Sequence, residues 1–246
     1  MSWRLSALDF SVLWERAGFD QLPYPFGFSS QAETLEESLL ERSRAARAFD
    51  ERGDDGLEAV VDTLAHARVR VEVLGTQWQP RQMPIRVLGG IRGAGGVVAV
   101  QFPGHIDSAG SDVVIGRCAG SQVVGRVVDL LPPVAEGRTR GLSVELERVE
   151  AGPRRSVLQR ADEVAPRQQL RQMAELPRSG QGEITVATGF GIDEVSEARS
   201  WVDIAGDGRY LIRRTSVLAV RPASPRAVVA AVDEVVGRAL ERLRVS

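Results

Sequence analysis

His105 and Asp107 stand two residues apart, after Pro103-Gly104, in a turn between two expected strands. With Cys118 or Ser111 they supply the types of residue that make a nucleophile and its base. Nothing in their spacing demands more than a polar turn, because the partners would have to converge through the fold rather than along the chain. The other histidine, His66, sits at the end of an expected helix, where an imidazole suits the negative end of the dipole, and reads as structural or surface. Two histidines, one cysteine and scattered acids give no metal-ligand spacing. Gly89-Gly90-Ile91-Arg92-Gly93-Ala94-Gly95-Gly96 matches neither a P-loop nor GxGxxG, and it joins two expected strands instead of opening a helix. It reads as a mobile hairpin tip. The basic residues are all arginine, so Schiff-base chemistry and a P-loop lysine are excluded.

With little to move a proton, the surface carries the functional reading. Trp78 lies with Gln77, Gln79 and Met83 in a loop from Gly75 to Pro84. An aromatic ring and a flexible thioether there make a binding anchor, unless Trp78 folds back on the core. Phe190 and Ile192 occupy the tip of the corresponding hairpin in the second half, between glycines that leave them hard to bury. Arg213, followed by Arg214, ends a strand as a solvated cation or as a contact for an acidic partner. The candidate partner-binding residues are therefore Gln77, Trp78, Met83, Phe190, Ile192 and Arg213. Trp201 continues a strand and reads as packed.

The elements that must position these residues follow from periodicity. The chain has 246 residues, 43% apolar, 26% charged and 5% aromatic, which is the composition of a globular chain. Its 31 basic and 33 acidic residues leave a net charge of −2, so no global positive field favours nucleic acid. The single cysteine forms no internal disulfide and points to the cytoplasm. Asp9, Glu15 and Arg16 interrupt the first apolar stretch, against a signal peptide, and no apolar run approaches the ~20 residues of a spanning helix.

Ser6 caps a first helix bearing Phe10, Leu13, Trp14 and Ala17, which Gly18 stops. Leu22-Pro23-Tyr24-Pro25-Phe26 must then run extended. A second helix, from about Ala32 to Glu51, presents Leu35, Leu39, Arg42, Ala46 and Phe49 on one face, and a short third carries Leu57, Val60, Val61 and Leu64. Alternation from Arg68 to Val73 marks a half-buried strand, followed by strands at Ile85 to Leu88, Val97 to Phe102 and Asp112 to Arg117, and by a helix opened at Ser121.

The unit then repeats. Strands are expected at Glu183 to Thr188, Ser200 to Ile204, Arg209 to Arg213 and Val217 to Val220, with a hairpin turn at Gly206-Asp207-Gly208, before a last helix opened by Ser224-Pro225. Between the halves Leu142 to Leu146 reads as a strand, and Arg155 to Leu176 as one or two helices, broken near Pro166. The expected fold is α+β in one domain over 1–246. Two pseudo-repeated four-strand meanders, in halves of about 67–133 and 180–246, join into a central antiparallel sheet flanked by N-terminal and C-terminal helices. Helical segments fall at 6–66 and 155–176. Helices are expected to cover one face, leaving the other solvated or free to bind.

Several segments together resemble the EspG-type chaperones of actinobacterial type VII (ESX) secretion. They are Phe10-Ser-Val-Leu-Trp-Glu-Arg-Ala-Gly-Phe-Asp-Gln-Leu-Pro-Tyr-Pro-Phe26, the Val-Arg-Val-Glu-Val strand, and Val123 to Pro132 ending in Leu-Leu-Pro. To these add Trp201-Val-Asp-Ile-Ala-Gly-Asp-Gly-Arg-Tyr-Leu-Ile-Arg-Arg214 and Val220-Arg-Pro-Ala-Ser-Pro225. The chain departs from the family at Ser29-Ser30-Gln31-Ala32 and at Asp203-Ile-Ala-Gly-Asp207. The resemblance implies a cytoplasmic, non-catalytic protein without cofactors. It would bind the hydrophobic tip of the PPE protein in a PE–PPE pair, masking an apolar patch until secretion. The alternatives are a scaffold or regulatory module that self-associates, for example as a homodimer, and a hydrolase-like enzyme using His105 and Asp107.

Overall fold

The structure, a computed structural model, describes residues 1–30, 32–78, 80–104, 110–145, 161–189 and 194–245. The chain forms β1 (Ser2–Leu5), α1 (Ala7–Arg16), α2 (Leu35–Arg52), α3 (Asp55–Ala65), β2 (Val69–Gln77), β3 (Met83–Arg92), β4 (Gly95–Pro103) and β5 (Gly110–Ala119). A 3₁₀ turn then leads into α4 (Val123–Asp129), followed by β6 (Leu142–Glu145), α5 (Ala161–Glu175), β7 (Arg178–Thr188), β8 (Val195–Ile204), β9 (Gly208–Arg214), β10 (Val217–Pro222) and α6 (Pro225–Val245). The strands make one sheet in the order β1-β5-β4-β3-β2-β7-β8-β9-β10-β6. All neighbours are antiparallel.

Read outward from the central β2·β7 pair, each half is a four-strand meander. Each is capped at its outer edge by the strand that precedes it in sequence, β1 or β6. Helices come before and after each meander in the same order. The expected α+β sheet with two repeated meanders is what the chain forms. The strand β1 was not expected: four residues carry too little alternation to register, and β1 exists through its pairing with Gly116 to Val113 of β5.

Because side chains alternate across a strand, the sheet has two separate cores. On the first face Val69, Val71 and Val73 of β2, Val87 and Ile91 of β3, and Ile184 and Val186 of β7 pack under α4 and α6. On the second face Leu88, Val97, Ala99, Val113 and Ile115 pack under α1, α2 and α3. At the far end of that same face Leu142, Val144, Ile204, Tyr210 and Val220 gather with Leu170 and Met173 of α5. Helices thus lie on both faces, not on one, since the inserts before β2 and before β7 both fold onto the face that α4 and α6 leave open.

Three local expectations change with this packing. The strand at Val69 is central and buried on both sides. Arg70 and Glu72 are buried too, with the Arg70 guanidinium donating to Glu72 at 2.9 Å, to the Gly189 carbonyl at 2.7 Å and to Glu194 at 2.5 Å. The Gly89–Gly96 run is no mobile tip: Gly89 and Gly90 lie within β3, and the turn is only Gly93-Ala94. A Cβ on Gly89 would sit 2.6 Å from Val123 on one face, and one on Gly90 2.8 Å from Leu64 on the other. The glycines are there so that helices can close on both sides of the sheet.

The face expected on α2 is the third. Thr34 and Glu37 form a capping box and Gly53 ends the helix with φ 58°, but Leu35 is 77% and Leu39 55% exposed. Only Ala45 and Phe49 are buried, because α2 meets α1 along its C-terminal half, where Arg16 donates to the Ala46 carbonyl at 2.7 Å and pairs with Asp50. Similarly, α5 continues through Pro166 instead of breaking there. One lost donor is offset by the packing of Leu170 and Met173 further along the helix.

Candidate docking groove

On the second face, the space between the α1–α3 block and α5 is not filled. A groove of about 460 Å³ runs there, walled by Leu170, Met173 and Ala174 of α5 and floored by β7, β8 and β9. Its opposite wall is Tyr24, with Leu74 of β2 on the floor beside it. The floor is set by register. Leu74 lies opposite Arg86 and Glu183, Glu183 opposite Ser200, and Ser200 opposite Ile212, so one row of side chains crosses five strands.

Tyr24 reaches this position because the Leu22–Phe26 connector, expected to run extended, instead turns at Tyr24-Pro25, where the Phe26 N–H donates to the Pro23 carbonyl at 2.8 Å, and is then pinned to the sheet. The Gly27 N–H donates to Gln101 Oε1 at 2.9 Å, and Gln101 Nε2 donates back to the Gly27 carbonyl at 2.8 Å, as a neighbouring strand would. The Gly110 N–H donates to the same carbonyl at 3.0 Å. Phe26 is then buried edge-on against Phe10. Tyr24 remains 54% exposed, and its hydroxyl pKa is raised by partial burial and then by the nearby charges of Glu183 and Glu72. The Glu72 carboxyl is itself pushed upward by burial, against the pull of Arg70. The groove therefore combines apolar walls with an acidic centre.

Of the residues singled out from sequence, Gln77, Trp78 and Met83 come together. Gln77 pairs with Met83 across β2 and β3, and the Trp78 N–H donates to the Ser179 carbonyl at 2.9 Å. Trp78 is half-buried. The loop thus sits beside the start of β7, next to Arg178 and Gln181 at one end of the groove. Phe190 and Ile192 lie outside the described residues, and the Thr188·Val195 pair that flanks them is at the opposite end of β7. Arg213 is exposed on the first face, since its neighbour Ile212 points into the groove, and its charge acts on Glu234 of α6. Tyr24, Leu74, Met173 and Ile212 were not singled out. Leu74 and Ile212 read as ordinary strand residues, and no sequence pattern announces that a helix distant from both in the chain stops short of them.

The residues proposed for catalysis do not assemble into a site among the described residues. His105 and Asp107 lie outside them. Cys118 is half-buried against the core under α4, where burial raises its thiol pKa, and Ser111 only donates a long 3.5 Å hydrogen bond to the Phe102 carbonyl. His66 caps the end of α3, with Nδ1 3.0 Å from Asp62 and its ring against Phe19. Among the described residues no three His, Cys, Asp or Glu side chains could hold a metal ion, and no helix is long and apolar enough to cross a membrane.

The model of the EspG family matches residues 6–234, nearly the whole chain. The chain belongs to the EspG family. A search by sequence among curated proteins finds no match. Among solved structures the fold resembles the Mycobacterium tuberculosis type VII secretion system chaperone EspG5, determined in complex with the PE25-PPE41 dimer. The likeness has a TM-score of 0.61 at 15% identity and covers 95% of each chain. The EspG fold is thus present with both halves and both sets of helices, and the groove lies where its two helical inserts on the second face fail to meet.

Proposed function

We propose that this EspG protein is a non-catalytic chaperone of type VII secretion that receives the apolar tip of a PE–PPE-type helical pair in the groove between Tyr24 and α5. The observation that carries the reading is the groove itself. It is a concave, mostly apolar surface on the second face of the sheet, in a family with a structural relative solved together with a PE–PPE dimer. Masking that tip would keep the substrate from aggregating on the cytoplasmic side until the secretion machine takes it. The loop bearing Gln77, Trp78 and Met83 lies at the mouth of the groove by Arg178 and extends the surface available to a partner.

Co-expression with each PE–PPE pair of the source genome, followed by size-exclusion chromatography and mass determination, tests the proposal. A stable complex with one copy of each chain is expected. Recovery of this chain alone with every pair would overturn it, and recovery as a concentration-dependent homodimer would favour a self-associating scaffold.

A further inference from the structure

Glu183 occupies the middle of the row that crosses the groove floor, between Leu74 on β2 and Ser200 on β8. It is exposed, and it has no ion-pair partner among the described residues, in contrast to the carboxylates around it. Glu72 and Glu194 are matched by Arg70, Glu197 by Arg199 and Arg238, and Asp203 by Arg209. The nearest donors to Glu183 are two hydroxyls at long range, Ser200 at 3.3 Å and Thr185 at 3.4 Å. The cation on the groove lining, Arg178, lies five residues along β7, with its Cα about 17 Å from that of Glu183 at the rise of an extended strand, and its guanidinium donates to Gln181 at 2.6 Å.

While the groove is open, water solvates this carboxylate. Once apolar side chains cover Leu74, Ile212 and Met173, that water is lost. Two weak hydroxyl contacts do not replace it, so an occupant without a compensating charge would be rejected. We propose that Glu183 is a specificity-determining residue of the groove, accepting an ion pair from an arginine or lysine at the docked end of the helical partner. This inference rests on the docking role proposed above and names the chemistry of the docked end: an apolar surface that carries a cationic side chain.

The test is the dissociation constant of the recombinant PE–PPE pair that forms the stoichiometric complex, measured at several salt concentrations for wild type, Glu183→Gln and Glu183→Arg. Unchanged thermal unfolding of the variants controls for folding, since Glu183 makes no ion pair to lose. The Gln variant is expected to bind at least about tenfold more weakly, with a flatter dependence on salt. The Arg variant should lose binding and recover it when the partner's basic residue is reversed to Glu. Equal or tighter binding by Glu183→Gln, with the wild-type salt dependence, would overturn the inference while leaving the docking role intact. Failure of every pair to bind the wild type would overturn both.

Discussion

The two halves of the sheet share one order of elements but close their second face in different ways. Before β2 the first half inserts three helices, which seal Phe10, Leu13, Trp14, Leu64 and Leu88 into a continuous apolar core. Before β7 the second half inserts one described helix, α5, which covers five buried residues at the outer end and leaves β7 and β8 open. The outer end of the second half is also tied by polar contacts to the segment after α4, through Arg209 on the first face and Tyr210 on the second. Arg209 donates to both oxygens of Asp203, at 2.7 and 2.8 Å, and to the Pro132 carbonyl at 3.0 Å. Tyr210 donates to Asp207 at 2.5 Å and accepts from the Thr139 N–H at 2.8 Å. A duplicated framework thus keeps an open groove by under-filling one copy of it.

The contrast can be broken from either side. In the closed half, Phe10→Ala should cost about 4 kcal/mol in denaturant unfolding, because a fully buried ring stacked on Trp14 and met edge-on by Phe26 leaves a cavity that its neighbours cannot fill. In the clamped half, Asp203→Ala should cost about 3 kcal/mol, since it strands the Arg209 guanidinium, 1% exposed, without its counter-charge. A loss below about 1 kcal/mol at Asp203 would show that this polar tie is dispensable.

Tyr210→Phe should cost about 2 kcal/mol, the worth of a hydrogen bond to a carboxylate, and it should also change the response to acid. The Tyr210 hydroxyl, and after it the Arg138 N–H, hold the Asp207 carboxyl below its ordinary value. A depressed folded value means that the contribution of Asp207 is complete above the ordinary aspartate range and is lost as pH falls through the depressed one. The gap between wild type and Tyr210→Phe should therefore be widest near neutrality and narrow toward acid. A gap constant with pH would separate Tyr210 from Asp207.

Strand positions were readable because Val69 to Val73 alternates cleanly, Val97 to Val100 is a short apolar run bounded by glycines, and the Gly206-Asp207-Gly208 turn fixes one register. The Asp-Gly-Arg-Tyr stretch was readable as a family mark, but its role as a clamp was not, because its partners Pro132 and Thr139 lie some 70 residues away. Helices on both faces were illegible for a related reason: periodicity says that a helix has an apolar side, not which face of a sheet receives it. The glycines of β3 misled in the opposite direction. They looked like a turn, whereas their absent side chains make room for α3 and α4. The groove itself is a space between elements, and no residue pattern encodes it.

Met173→Ala sharpens the comparison with the smallest expected effect on stability. Met173 is half-buried on α5 and faces Val202 and Ile212 across the groove, so its truncation opens space already shared with solvent. Its unfolding free energy should change by less than about 1 kcal/mol, well short of the 2 kcal/mol or more expected for a methionine enclosed in a core. Binding of the PE–PPE pair should nevertheless weaken several-fold, because the thioether forms part of the wall that a docked partner would bury. Opposite results, a large loss of stability with unchanged affinity, would mean that α5 closes the second half as firmly as α1–α3 close the first. The space beside it would then be a packing defect, not a surface kept open for a partner.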